Sequence, residues 1–180
     1  MTANLPPIPS EVEVVRAFVN TVDHDEGTEE LDSPAALQHW LRSVRLIPTG
    51  VPASGRDLAL ALRLRGALRD ELAANHDGSH TPAALAALDA VYRDLPLTAV
   101  SSSPGLAPAA GGVKGALAHI VAQATIARIK GTWPRLKICP ADDCLWAFYD
   151  TSRNRSKRWC SMEVCGNRNK VRAFRDRSHA

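Results

Sequence analysis

Apolar residues along most of this chain recur at three- and four-residue spacing, the pattern of helices that bury one face. Ser10 with Glu13 reads as a capping box, followed by Val12, Val15, Val19 and Val22 on one stripe. Ser33-Pro34 opens a second helix with Leu37, Trp40, Leu41 and Val44 together. After a loop from Gly50 to Gly55, a third helix is predicted from about Arg56 to Asn75. It turns Leu58, Leu62, Leu68 and Leu72 inward and Arg63, Arg65, Arg69, Asp70 and Glu71 outward. Thr81-Pro82 starts a fourth helix through Leu85, Leu88 and Val91. A fifth, about Val113 to Lys130, buries Leu117, Ile120, Val121 and Ala124 and is capped by Gly131. Residues 96–112, rich in Pro, Ser, Gly and Ala, suit either a loop or a weak hairpin.

Beyond Gly131 the pattern changes. All four cysteines fall within residues 139–165, as Cys139-x4-Cys144-x15-Cys160-x4-Cys165. Leu145 to Tyr149 alternates like a strand, Thr151 to Ser156 is polar and turn-like, and Lys157 to Cys160 is expected to return as the second strand. Ser161 can cap a final helix with Cys165 in its first turn. The expected architecture is therefore mainly α, α+β overall: a helical unit over 1–131, then a treble-clef-like hairpin and helix over 132–180, joined near Gly131 to Lys137. No internal repeat is present.

Hydrophobic residues make up 45% of the 180 positions, enough for a buried core. Residues 1–138 carry 13 Lys and Arg against 14 Asp and Glu, while residues 139–180 carry nine against five. The cationic charge is thus concentrated at the C-terminal end. No run of apolar residues is long enough to span a membrane, and Met1 to Pro9 has no secretory pattern, so a cytoplasmic protein is expected.

Disulfides are rare in a reducing compartment, where paired cysteines more often hold metal. Cys139, Cys144, Cys160 and Cys165 are the expected ligands of one Zn²⁺; two disulfides or four free thiols are the alternatives. Patterns for phosphate loops, zinc proteases and serine hydrolases are absent, so no enzyme is expected. His76 and His80 straddle Asp77-Gly78, which breaks a helix, and are not read as metal ligands. His39, Trp40 and Trp133 are read as packing residues. The acidic run Asp23, Asp25, Glu26, Glu29, Glu30 is read as a solvated loop.

On a final helix from Met162 to Arg177, Arg168, Arg172 and Arg175 fall within an arc of roughly 60° at about 100° per residue. Lys170 and Arg177 flank them. Val164, Val171 and Phe174 form an adjacent apolar arc expected to pack on the hairpin, with Asn167 among them hydrogen-bonding its backbone and Gly166 allowing a close backbone approach. Arg153, Arg155, Lys157 and Arg158 add cations from the hairpin tip. Such an array suits a nucleic-acid backbone. Some of it would offset the formal −2 charge of a four-thiolate zinc centre. Trp146, Phe148 and Tyr149 are read as the small core of this region rather than as base-stacking groups. Duplex DNA is the expected partner; RNA binding and a zinc-stapled protein-interaction module are the alternatives.

Cys165-Gly166-Asn167-Arg168, with Cys139-Pro140, Asp150-Thr151-Ser152-Arg153-Asn154 and Arg158-Trp159-Cys160-Ser161-Met162, resembles the CGNR zinc finger over roughly residues 133–177. Phe18-Val19-Asn20-Thr21-Val22-Asp23 and Arg63-Leu64-Arg65 resemble the ABATE domain that precedes such fingers. The resemblance implies a stress-induced transcription regulator whose finger binds DNA. It also implies a short hairpin between Leu95 and Gly112. The helical domain is expected to form a homodimer or to sense a ligand.

Overall fold

The computed structural model describes residues 7–101 and 105–178, with the side chains of Ala173, Asp176, Arg177 and Ser178 outside the description; the expected flanking role of Arg177 lies there too. The elements in order are helix α1 (Ser10–Val19), strands β1 (Val22–Asp23) and β2 (Thr28–Glu29), helices α2 (Pro34–Ser43), α3 (Gly55–Ala74) and α4 (Pro82–Arg93), and strands β3 (Leu97–Val100) and β4 (Gly105–Pro108). Then come helix α5 (Gly112–Ile129), strands β5 (Leu136–Ile138) and β6 (Ala147–Tyr149), a π-helical turn (Met162–Gly166) and helix α6 (Asn167–Ser178). The fold is α+β, about half helical, with each strand pair a two-stranded antiparallel hairpin. No described helix is long and apolar enough to cross a membrane.

The helix starts are set by their side chains. Ser33, Ser54 and Thr81 accept from backbone amides three residues on, and Asp57 completes a capping box with Ser54. Gly131, at φ 69°, closes α5: Thr132 N–H donates to Ala127 O and Gly131 N–H to Arg128 O. The expected Ser10 cap does not form. Pro9 takes that position, and Glu13 pairs with Arg16 instead. Val22 leaves the α1 stripe because the helix stops at Val19 and the chain enters β1. β3 and β4 pair as the hairpin implied by the family resemblance, with Leu97 opposite Pro108; Ser102, Ser103 and Pro104 lie outside the described residues.

The core is built from α1, α2, α3 and α5, with Val15, Phe18, Leu37, Leu64, Leu68, Leu117 and Ile120 all fully buried. Leu85, expected inward, is 44% exposed, and His39 is on the surface. The buried stripe of α3 keeps the expected Leu68 and Leu72, but in its first half Ala61 and Leu64 are buried while the expected Leu58 and Leu62 are only half-buried, and it takes in Arg65 and Glu71. Both charged groups are tolerated because each is paired. Arg65 donates to Glu29 and to Thr21 Oγ1; Glu71 accepts from Arg128 and, at 3.0 Å, from Trp133 Nε1. The Arg128 guanidinium lies 4.0 Å from the Trp133 ring centre.

Leu136, Ile138 and Ala147 belong to this same core. Hairpin β5–β6 is therefore fastened to the helices on one face, and three polar side chains secure it. Asn20 Nδ2 donates to Ala147 O at 2.9 Å while Ala147 N donates to Asn20 Oδ1 at 2.8 Å, so the buried amide pairs with β6 as a neighbouring strand would. Arg69 donates to Val19 O and Leu145 O, and Asn75 to Trp133 O and Leu136 O.

Replacing Asn20 by Ala leaves both backbone groups of Ala147 buried and unpaired. At about 1–3 kcal/mol for each of the two unsatisfied groups, Asn20→Ala should cost about 2–6 kcal/mol. Denaturant unfolding of the zinc-loaded protein checks this; a loss under about 0.5 kcal/mol would show that the pairing contributes little.

Candidate metal centre

β5 ends at Ile138, so Cys139 continues straight out of the fastened hairpin. Its amide donates to Trp146 O at 2.9 Å, which closes a tight knuckle around Pro140 to Leu145. Within it, Cys144 N and Leu145 N both donate to Ala141 O, and Leu145 adopts φ 50°. The knuckle thus joins β5 to β6. The expected partner of β6, Lys157 to Cys160, forms no strand, because Leu136 and Ile138 can bury apolar side chains in the helical core and Lys157 and Arg158 cannot.

The second cysteine pair arrives through a loop organised by Asp150, whose side chain is wholly buried. Asp150 Oδ1 accepts from Ser152 N at 2.9 Å; Oδ2 accepts from Lys157 N at 2.9 Å and from Lys137 Nζ at 2.8 Å. Burial alone would raise the Asp150 pKa, but the hydrogen bonds from Lys137 and Ser152 hold it below the usual carboxylate range. Arg135 Nη1 donates to Asp150 O and Ser152 O. Ser161 Oγ then accepts from Val164 N and caps the π-helical turn that carries Cys165, while Gly166 N donates to Ser161 O at 3.0 Å.

The four sulfurs lie within 4.8 Å of one another, and no disulfide joins them. Cys144 and Cys160 Sγ are 3.6 Å apart, Cys160 and Cys165 Sγ 3.5 Å. A disulfide would hold them at about 2.05 Å. Tetrahedral thiolates at about 2.3 Å from a zinc ion stand about 3.8 Å from each other, which these spacings approach. Burial pushes the Cys144 thiol up to about 11 and raises Cys160 further. At Cys165 burial acts in the same sense, but the hydrogen bond from Arg168 brings the thiol below its ordinary value. Such a cluster holds thiolates near neutral pH only with a cation at its centre. The residues fit one Zn²⁺.

Phe148 and Trp146, as expected, pack around the sulfurs with Trp159 and Ala141, whereas Tyr149, expected with them, packs against the helical core instead. With that space filled, Val164, Val171 and Phe174 are not drawn onto the hairpin; they stay 51%, 49% and 65% exposed. Asn167 is likewise exposed. Its Nδ2 donates to Glu163 O in its own helix, as Asn169 Nδ2 does to Cys165 O, so both amides serve carbonyls of the π-helical turn. A Cβ on Gly166 would meet the Met162 sulfur and the Trp159 ring, so side chains rather than another backbone make the close approach.

The cations divide into two groups. Arg168 contacts Asp25 at 3.1 Å, Asp143 at 3.3 Å and Cys165 Sγ at 3.5 Å; Arg172 contacts Asp143 at 2.8 Å. The acidic run is therefore no simple solvated loop: Asp25 reaches α6, and Glu29 holds Arg65. Arg153, Arg155 and Arg158, with Lys170 and Arg175 on α6, are exposed. Lys157 Nζ lies 5.4 Å from the Phe148 ring centre and the Arg158 guanidinium 5.2 Å from that of Trp159. Of the residues that fix the site, Asn20 and Asp150 enter the sequence reading only within the motifs that carry the family resemblance, and Arg69 only as an outward-facing residue of α3; their hydrogen-bonding roles are not read from the sequence.

Purified protein should contain one zinc per chain, with X-ray absorption showing four sulfurs at about 2.3 Å. Cys160→Ser should abolish stoichiometric zinc. Metal-free protein with Cys144 and Cys160 disulfide-bonded would contradict this reading.

Comparison with known proteins agrees with this geometry. Residues 135–178 match the family model of the CGNR zinc finger, and residues 13–131 match that of ABATE, described as "Putative stress-induced transcription regulator". A search of curated proteins finds no match to the chain. With the ABATE match spanning most of its length, the chain belongs to the ABATE family and carries a CGNR zinc finger after that domain.

Proposed function

We propose that the protein is a cytoplasmic, zinc-dependent DNA-binding regulator of transcription and not an enzyme. The observation that carries this reading is the loop from Arg153 to Arg158. It brings four cations together, and no carboxylate partner is seen for them among the described residues. The buried Asp150–Lys137 pair holds the loop's backbone in place beside the metal centre. Zinc, held by four thiolates with no open position, supplies structure rather than reaction chemistry. The family description supports regulation of transcription.

Electrostatics also ranks the arginines. Arg168 and Arg172 face Asp25, Asp143 and the thiolate cluster, so their charge is largely offset. Arg153, Arg155, Lys157 and Arg158, joined by Lys170 and Arg175, retain theirs for phosphates. Each phosphate neutralised adds about 0.9 to the slope of log affinity against log salt on duplex DNA.

A second reading, a zinc-stapled protein-interaction module, is favoured by the exposed Met162 and Val164 of the π-helical turn and Val171 of α6. Titration of zinc-loaded protein with duplex DNA at several salt concentrations separates the two. On the DNA reading, changing Arg153, Arg155 and Arg158 together to Ala flattens the slope by roughly two to three units, and Arg172→Ala changes it by less than about one. Folded, zinc-loaded protein that is inert toward duplex DNA at about 50 mM salt, where backbone contacts are strong, would favour the protein-interaction reading. Tighter binding to single-stranded RNA than to duplex DNA would reassign the partner.

A further inference from the structure

Between the turn after α3 and the 152–158 loop lies an open cleft whose walls include His76, Lys137, Arg155, Lys157 and Arg158, with Asp77 as its one acidic residue. It joins the helical domain to the finger on a side of the knuckle away from the Arg168 cluster, which lines other depressions.

Hydrogen bonds within the loop arrange the charge of this cleft. The Lys137 ammonium is fully engaged: it donates to Asp150 Oδ2, to Arg155 O at 2.8 Å and to Lys157 O at 3.4 Å. Its part is to draw the loop over the cleft and neutralise Asp150. Asp77 is occupied with Ser79 N at 2.9 Å. Arg155 is held at φ 54°, a left-handed backbone that costs a non-glycine residue energy and is often kept at binding sites. Arg158 and Lys157 rest on the faces of Trp159 and Phe148. Such face contacts position a cation and leave its N–H donors available.

His76 adds a neutral group. Its Nδ1 is buried and without a hydrogen-bond partner, an uncommon state that calls for an explanation. Burial, with Lys137 and Arg158 nearby, lowers the His76 pKa, so the ring is uncharged near neutral pH. With no hydrogen bond fixing Nδ1, the imidazole can turn about its soft terminal torsion toward an acceptor. Three cations with available donors outweigh the single negative charge of Asp77, and the net cationic cleft, with its one unpartnered imidazole, matches a tetrahedral oxyanion.

We propose that this cleft is a phosphate-binding site shared by the helical domain and the finger, with Arg155, Arg158 and His76 contacting the phosphate oxygens. Whether the phosphate belongs to a DNA backbone or to a free phosphorylated molecule, the chemistry at this site is the same. The DNA source rests on the proposed DNA-binding function.

The test is heteronuclear NMR of the zinc-loaded full chain, tracking backbone amides and the His76 imidazole at fixed ionic strength. Titration with inorganic phosphate should give saturable shifts at His76 and at residues 155–158, weakened at least tenfold in Arg155→Gln/Arg158→Gln, whose exposed side chains can change without loss of fold. Duplex DNA should move the same signals, and His76→Ala should weaken DNA binding severalfold with zinc content intact. Phosphate shifts without DNA shifts would uphold the site and assign it to a free phosphorylated ligand. DNA binding that leaves His76 and residues 155–158 unmoved would overturn the site while the DNA reading stands. Folded, zinc-loaded protein unresponsive at these positions to both probes would overturn it outright.

Discussion

Four sulfurs brought within 4.8 Å of one another, three of them on buried cysteines, are the constraint on which the rest depends. Burial raises the Cys144 and Cys160 thiols, and crowded thiolates repel, so four thiolates are held together near neutrality only around a cation. That requirement shapes the surroundings of the sulfurs. The knuckle turns tightly to aim Cys139 and Cys144 at one point, and the π-helical turn re-aims Cys165 toward Cys160. Arg168 then lies against the Cys165 sulfur, where a cation complements the net charge of a four-thiolate centre. Arginines near a zinc centre therefore serve two masters, the metal and any ligand outside. Here the acids Asp25 and Asp143 show which of them are already committed.

The metal does not act alone. The first cysteine pair hangs from a hairpin whose opposite face is part of the helical core, tied by Asn20, Arg69 and Asn75. The second pair rests on a loop wrapped around the buried Asp150 carboxylate. Half of the centre is thus positioned by packing against α1 and α3, and the other half by polar contacts and the ion itself. The helical domain and the finger meet at that hairpin, and cations from the finger line a cleft with His76 from the turn after α3.

Much of this is legible in the sequence. Helical periodicity, Ser33 and Thr81 as caps, Gly131 as a terminator and the cysteine spacing all act locally, and local rules predict them. What is not legible is long-range pairing. Arg65 and Glu71 read as surface charges on α3 because the sequence does not place Glu29 and Arg128 beside them. The strand partner of β6 lies before the first cysteine rather than after the turn, a choice made by the apolar side chains of Leu136 and Ile138 and by a core formed far away in sequence. Asn167 reads as a buried amide on helical spacing, but the π-helical turn leaves carbonyls that its side chain, and that of Asn169, satisfy locally.

The central claim is that the helical core holds β5–β6 while the metal holds the chain from Cys160 onward. Amide hydrogen exchange, with zinc and after chelation, tests it most directly. Chelation should leave the amides of Lys137 and Ala147 protected together with α1, α3 and α5, and should release residues 160–172 to fast exchange. Loss of protection throughout β5–β6 in step with residues 160–172, or retained protection of those residues without metal, would contradict the account.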